Sequence, residues 1–159
     1  MTKFFLSLHV LAAIVAIGPV TVAASMFPNV LRQVQADPGA PEPLATLRTL
    51  HRICRVYAGV GIAVPVFGFA TGQSLGVLGS AWLITSMVLT GIAAAILVGV
   101  LLPRQEDALN AVGTAAGPGS VALDERAGAR LAMLTGIFNL LWAVVTVLMI
   151  VRPGSTTGA

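Results

Sequence analysis

The chain has 159 residues, of which 57% are hydrophobic and 9% are charged, and its formal net charge at pH 7 is +3. A soluble domain carries about 25% charged residues, so this composition excludes a soluble globular enzyme and a disordered tail. The small net charge also argues against nucleic acid as a partner, because such binding relies on neutralising many phosphates. We therefore expect an integral membrane protein.

Four apolar stretches are long enough to cross a bilayer as helices, which takes about 20 mostly apolar residues each. They are too long and too uniformly apolar for the strands of a membrane barrel. The prediction is an all-α, multi-pass membrane four-helix bundle that forms one transmembrane domain. Its predicted spans are residues 4–27, 53–71, 81–102 and 131–151, with loops at 28–52 and 103–130 and a tail at 152–159.

Basic residues are distributed unevenly between the two sides of these spans. Only Lys3 and Arg152 accompany the N terminus, the second loop and the tail. Seven arginines accompany the other two loops: Arg32, Arg48, Arg52, Arg55, Arg104, Arg126 and Arg130. The positive-inside rule then predicts cytoplasmic loops at 28–52 and 103–130 and both termini on the outer, periplasmic side. The excess of Arg over Lys, with much Ala, Gly and Val, is typical of a GC-rich bacterial genome, so we expect the bacterial inner membrane.

The first span also has two features of a secretory signal peptide. Lys3 supplies a basic n-region, and Val22-Ala23-Ala24 resembles a cleavage site for signal peptidase. The apolar run is longer than the usual hydrophobic region of such a peptide. We therefore expect this segment to remain as a transmembrane helix.

The ionisable and nucleophilic residues indicate a protein that is not an enzyme. No Asp or Glu lies within any predicted span, although proton relays and cation sites usually need a carboxylate at depth. The single cysteine, Cys54, excludes an intrachain disulfide and cysteine-based metal centres. No motif for nucleophilic catalysis, zinc hydrolysis or phosphate binding is present. We expect no bound cofactor or metal.

The two histidines lie near opposite ends of neighbouring spans. His9 is near the outer end of the first span, and His51 is just before the cytoplasmic start of the second. Their heights differ by about 20–30 Å, so one chain does not supply both axial ligands of a haem. We interpret His9 as an interhelical packing residue on a face of small residues. A haem or copper site that uses His9 between subunits remains the alternative.

A basic face begins the second span. Arg48, His51, Arg52 and Arg55 are spaced i, i+3, i+4 and i+7, which places them on one side of a helix. Anionic lipid headgroups account for such a cluster, at about 1 kcal/mol per cation near the surface. Docking of an acidic partner or of a lipid phosphate is the alternative. These four residues are the predicted contacts for lipids or partner subunits.

The fourth span carries a polar stripe of Thr135, Asn139, Trp142 and Thr146, spaced i, i+4, i+7 and i+11. Polar side chains at this depth usually bond to another helix, for about 0.6 kcal/mol per contact. We therefore predict interhelical polar contacts for these residues and for His9. A ligand groove along this stripe is the alternative.

Small residues and prolines predict how the spans pack and bend. The third span carries Gly91, Ala95 and Gly99 at intervals of four, and the second carries Gly68 and Gly72. Such patterns allow two helix backbones to approach closely, within the bundle or against another protein. We also expect kinks at Pro19 and Pro65, because proline removes a backbone hydrogen bond.

Three short fragments together resemble a family of small bacterial integral membrane proteins that is catalogued as a domain of unknown function. The fragments are Leu8-His9-Val10-Leu11-Ala12-Ala13, the third span from Trp82 to Leu101-Leu102-Pro103-Arg104, and Leu148-Met149-Ile150-Val151-Arg152-Pro153. The resemblance covers nearly the whole chain and implies a four-span architecture, with no activity or site. The pattern of the first span is also similar to that of bacterial copper-resistance and haem-linked membrane proteins.

The expected function is that of a non-enzymatic accessory subunit in a larger inner-membrane complex. An envelope lipid or solute transport machine and a respiratory complex are both suitable hosts. The expected partners are anionic membrane lipids and other membrane protein subunits. Two alternatives remain: a small homo-oligomeric carrier or flippase with its path along Asn139, and a haem- or copper-linked redox protein that uses His9.

Overall fold

The computed structural model describes residues 2–37, 39–114 and 126–154, and within these ranges the chain is helical with no strand. Four long helical segments are apolar enough to span a membrane: Lys3–Ala36, Pro41–Leu75, Ala81–Gly113 and Arg126–Val151. The first is α1 (Thr2–Ala36), and the second comprises α2 (Pro41–Val60) and α3 (Ala63–Leu75). The third comprises α4 (Ala81–Ile96), a π-helical turn (Leu97–Leu101) and α5 (Leu102–Thr114), and the fourth is α6 (Arg126–Val151). The predicted all-helical bundle is confirmed at this level.

The first segment is the centre of the bundle. α1 packs along α2 and α3 on one side and against α6 on the other, and α4 packs against α6. α3 and α4 barely touch, although they follow each other in the chain. α5 contacts α1, α2 and α6, and so closes one end of the bundle. We call this end the α5 end.

Helix continues through most of the predicted loops, so the helices are longer than the predicted spans. α1 runs on to Ala36, α2 begins at Pro41, and α5 reaches Thr114. Apolar side chains at helical spacing explain the extensions, because they bury one face of each helix against its neighbours at the α5 end. These buried side chains are Leu31, Val34, Leu47, Leu50, Ala108 and Val112. Residues 115–125 of the predicted loop 103–130, and 155–159 of the predicted tail, lie outside the described residues.

Prolines shape the first two segments through the hydrogen bonds that they cannot make. α1 is one continuous helix through Pro19 and Pro28. Pro28 has no N–H for the carbonyl of Ala24, and the hydroxyl of Thr135 in α6 donates to that carbonyl at 3.5 Å. In the second segment the helix breaks between Val60 and Ala63. Pro65 cannot donate to the carbonyl of Gly61, which accepts from the N–H of Val64 at 3.1 Å instead.

The third segment continues through Pro103, where the sequence predicted its end. In a regular helix the proline ring would collide with the carbonyl of Gly99. The preceding turn is wider, and the N–H of Leu102 bonds to the carbonyl of Leu97. We attribute the continuation into α5 to this π-helical turn, because it changes the backbone pairing just before the proline.

Replacing Thr135 tests whether α6 supplies the donor that Pro28 lacks. Thr135→Val keeps the shape of the buried side chain and leaves the Ala24 carbonyl without its donor. We expect the free energy of unfolding in detergent micelles to fall by about 1 kcal/mol. Thr146→Val is the matched control, since Thr146 is exposed and donates to the Trp142 carbonyl of its own helix. Equal effects of the two substitutions would contradict this role.

Candidate functional site

A groove of about 550 Å³ lies between α2 and α5 at the α5 end of the bundle. Its lining comes from one face of each helix: Arg48, His51 and Arg55 from α2, and Glu106, Leu109, Asn110 and Gly113 from α5. We call it the α2–α5 groove.

The periodicity of α2 explains why basic side chains reach this groove. Leu47, Leu50 and Cys54 form the buried side of the helix and belong to the hydrophobic core. The basic residues at i, i+3 and i+7 therefore lie on another side, which faces α5. The structure brings together three of the four predicted contact residues. Arg52 is exposed and lies outside the groove lining.

A buried glutamine connects the two helices beneath the groove. Gln105 is 1% exposed, and its carbonyl oxygen accepts a hydrogen bond from Nδ1 of His51 at 3.2 Å. Its amide nitrogen lies 3.8 Å from Sγ of the buried Cys54. Both ends of the amide thus contact α2, which fixes the position of α5 beside it. Polar groups buried in this way are costly to unpair.

Sequence reasoning missed Gln105 because it lies just outside the predicted third span. One signal was available, since Gln105, Ala108 and Val112 are spaced i, i+3 and i+7. This spacing predicts a helix whose buried face contains a glutamine. A buried glutamine needs hydrogen-bond partners on a neighbouring element.

The guanidinium groups of the groove are available to a ligand. Arg48 and Arg55 are exposed, and neither forms an ion pair with another of the described residues. Among the residues that the structure describes, Glu106 is the one carboxylate in the lining. The described lining residues thus bring two guanidinium groups, of Arg48 and Arg55, against one carboxylate. Its chemistry is suited to holding an anion through arginine donors.

His9 serves a different contact, between α1 and α3. Its Nδ1 donates to the carbonyl of Val64 at 2.9 Å. A Cβ atom added to Gly68 would lie 2.9 Å from Cε1 of His9, so the absence of a side chain at Gly68 admits the imidazole. The helix from residue 51 to residue 64 rises about 20 Å, which separates the surroundings of His9 and His51. His9 thus makes an interhelical polar contact.

Two residues of the polar stripe of α6, Thr135 and Asn139, bond to α1, whereas the described contacts of Trp142 and Thr146 lie within α6. Besides the contact from Thr135 to Ala24, the amide nitrogen of Asn139 donates to the hydroxyl of Ser25 at 3.2 Å. The ring of Trp142 packs edge-on against Phe138 at 6.3 Å between centroids. Within the described part of the chain, Oδ1 of Asn139 and Nε1 of Trp142 are buried without a hydrogen-bond partner. Thr146 bonds within its own helix.

The two small-residue patterns face different surroundings. A side chain at Gly68 would meet His9, and one at Gly72 would meet Leu78 and Leu83, so this pattern lies inside the bundle. A Cβ atom at Gly91 or Gly99 would meet no atom within 4 Å. Ala95, between them, is also exposed. This second pattern faces away from the bundle.

Among residues 2–37, 39–114 and 126–154, no three His, Cys, Asp or Glu side chains come close enough to hold a metal ion together. No protein-family model, curated protein or solved structure matches this chain.

The close contact at Gly68 makes a specific prediction about stability. Gly68→Ala would push the His9 ring away from the Val64 carbonyl, and we expect it to destabilise the bundle by about 1–3 kcal/mol. Gly18→Ala in α1 is the control and should cost nothing, because its Cβ would meet no atom within 4 Å. Thermal unfolding in detergent measures both. In a His9→Ala background the cost of Gly68→Ala should largely disappear, and an unchanged cost would contradict the contact.

Cys54 reports on the contact between α2 and α5. As the only cysteine, and one that is buried, it should react slowly with a maleimide. Gln105→Leu leaves His51 without its partner at a cost of about 1–3 kcal/mol, so opening should become more frequent and labelling at least about fivefold faster. Gln33→Leu is the matched control, because Gln33 is exposed at the same end of the bundle. Equal labelling rates in the two variants would show that Gln105 does not hold the helices together.

Proposed function

We propose that the chain is a four-span protein of the bacterial inner membrane and acts as a non-enzymatic accessory subunit of a larger membrane complex. In this arrangement the α5 end lies in the cytoplasm and both termini lie on the outer side. Its role is to bind other membrane components.

The distribution of apolar and charged side chains supports the membrane location. Large apolar side chains are exposed along every long helical segment, including Ile14, Val66, Val88 and Leu140. Water would not favour such a surface, whereas lipid tails cover it without cost. The carboxylates of the described residues, Asp37, Glu42, Glu106 and Asp107, all belong to the α5 end, as do the seven arginines of the predicted cytoplasmic side. This asymmetry supports the proposed orientation.

The outward pattern of Gly91, Ala95 and Gly99 is the observation that carries the subunit role. Inside the bundle, the equivalent pattern at Gly68 and Gly72 admits neighbouring side chains. The pattern on the third segment has no such neighbour in the chain. Small residues at intervals of four allow the backbone of a second helix to approach closely, which makes this surface suitable for another subunit.

Isolation at natural expression level tests the proposal. We expect a tagged chain, extracted in mild detergent, to retain one or more membrane proteins in a constant ratio by mass spectrometry. Gly91→Leu with Gly99→Leu should lower that recovery at least about tenfold, because bulky side chains block close helix contact. Gly136→Leu is the matched control, since Gly136 is an exposed glycine of α6 with open space around it. Recovery of the free chain alone would contradict the subunit role.

A further inference from the structure

We propose that the α2–α5 groove is a binding site for one anionic phospholipid, whose phosphate lies between Arg48 and Arg55. This proposal rests on the proposed membrane location and names the ligand of the groove. Phosphatidylglycerol has the required chemistry, with one negative phosphate and headgroup hydroxyls.

The charges of the groove fit a singly charged headgroup. Arginine presents a planar set of donors that matches phosphate oxygens, and Arg48 and Arg55 each bring one such set. Glu106 lines the same groove and can accept a hydrogen bond from a headgroup hydroxyl. The positive net charge of the lining favours an anionic lipid over a zwitterionic one.

The groove also lies at a suitable depth. The second segment ends at Leu75 on the outer side, and about 20 residues of helix cross the hydrocarbon core. Counting back from Leu75 places Arg55 near the cytoplasmic boundary of that core. Arg48 lies about 10 Å further along the helix, at 1.5 Å per residue. Together the two arginines extend through the layer that phospholipid headgroups occupy.

An exposed apolar strip continues from the groove towards the outer side. Ile62, Val66 and Phe69 follow Arg55 at i+7, i+11 and i+14 and are 67%, 57% and 51% exposed. The break at Gly61 and Ile62 keeps right-handed helical backbone angles, so the strip stays in line with the basic face. The exposure of these three side chains leaves the strip open to an acyl chain. A soluble phosphate or an acidic protein would use the groove but not this strip.

Native mass spectrometry of the full chain in neutral detergent tests the site, with phosphatidylglycerol, phosphatidylethanolamine, phosphatidylcholine and soluble glycerol phosphate titrated separately. We expect one retained phosphatidylglycerol, bound at least about fivefold more tightly than either zwitterionic lipid. Arg48→Gln with Arg55→Gln should weaken that binding about 25-fold, taking about fivefold for each cation. Arg52→Gln, on the same helix but outside the groove, should change it less than twofold. Slow maleimide labelling of Cys54 verifies that each variant keeps its packing.

Several outcomes would overturn the site. An equal loss with Arg52→Gln indicates diffuse surface attraction, and equally tight glycerol phosphate indicates a soluble ligand. Preference for phosphatidylethanolamine indicates recognition of an ammonium group. If the chain retains an acidic protein instead of lipid, and Arg48→Gln with Arg55→Gln abolishes that retention, the groove is a protein-binding site. Alkaline carbonate extraction separates the two proposals: a chain released from membranes contradicts both, whereas a retained chain without lipid preference contradicts the lipid site alone.

Discussion

A backbone carbonyl in apolar surroundings needs a hydrogen-bond donor, and this requirement explains how the helices are arranged at Pro28 and Pro65. Where Pro28 withholds its N–H from the Ala24 carbonyl, Thr135 of a neighbouring helix donates instead. Where Pro65 does so, the helix breaks and Val64 donates to Gly61. Before Pro103 the pairing shifts to that of a π-helix. At Pro28 and Pro65 another donor thus replaces the missing N–H, because an unpaired carbonyl is costly when neither water nor lipid supplies a donor.

The same need for hydrogen-bond partners explains the contacts of most polar side chains between the helices. His9 donates to a carbonyl of α3, and Asn139 bonds to a serine of α1. Gln105 connects α5 to two residues of α2. These hydrogen bonds fix how the helices are rotated and shifted relative to each other. Van der Waals contact between apolar faces alone distinguishes poorly between similar rotations and shifts. Arg48 and Arg55 are different, because no described residue pairs with their charges, and they are therefore available to a ligand.

The helical extension at the α5 end connects these contacts with the proposed binding role. α1, α2 and α5 continue past the predicted spans and pack around Leu31, Leu47 and Ala108. This packing converts a basic helix face into one wall of a groove, with α5 as the opposite wall. If Leu102–Thr114 were a loop instead of a helix, the same arginines would lie on α2 alone, without an opposite wall. The continuation through Pro103 thus matters for the proposed binding role, since it creates the second wall.

Hydropathy, helical spacing and charge asymmetry predicted the four apolar helices, the basic face at Arg48, His51, Arg52 and Arg55, and the polar stripe of α6. These features depend on the order of residues along one helix, so the sequence contains them in full. Helical spacing already placed Arg48, His51 and Arg52 on a helix before the second span, but apolar run length gave neither the start of α2 at Pro41 nor the ends of α1 and α5. Nor could the sequence distinguish Gly68, which admits His9, from Gly91, which faces outward, since both belong to the same kind of pattern. Only the tertiary structure decided these points and placed Gln105 against His51, because which helix faces which depends on the packing of all segments together.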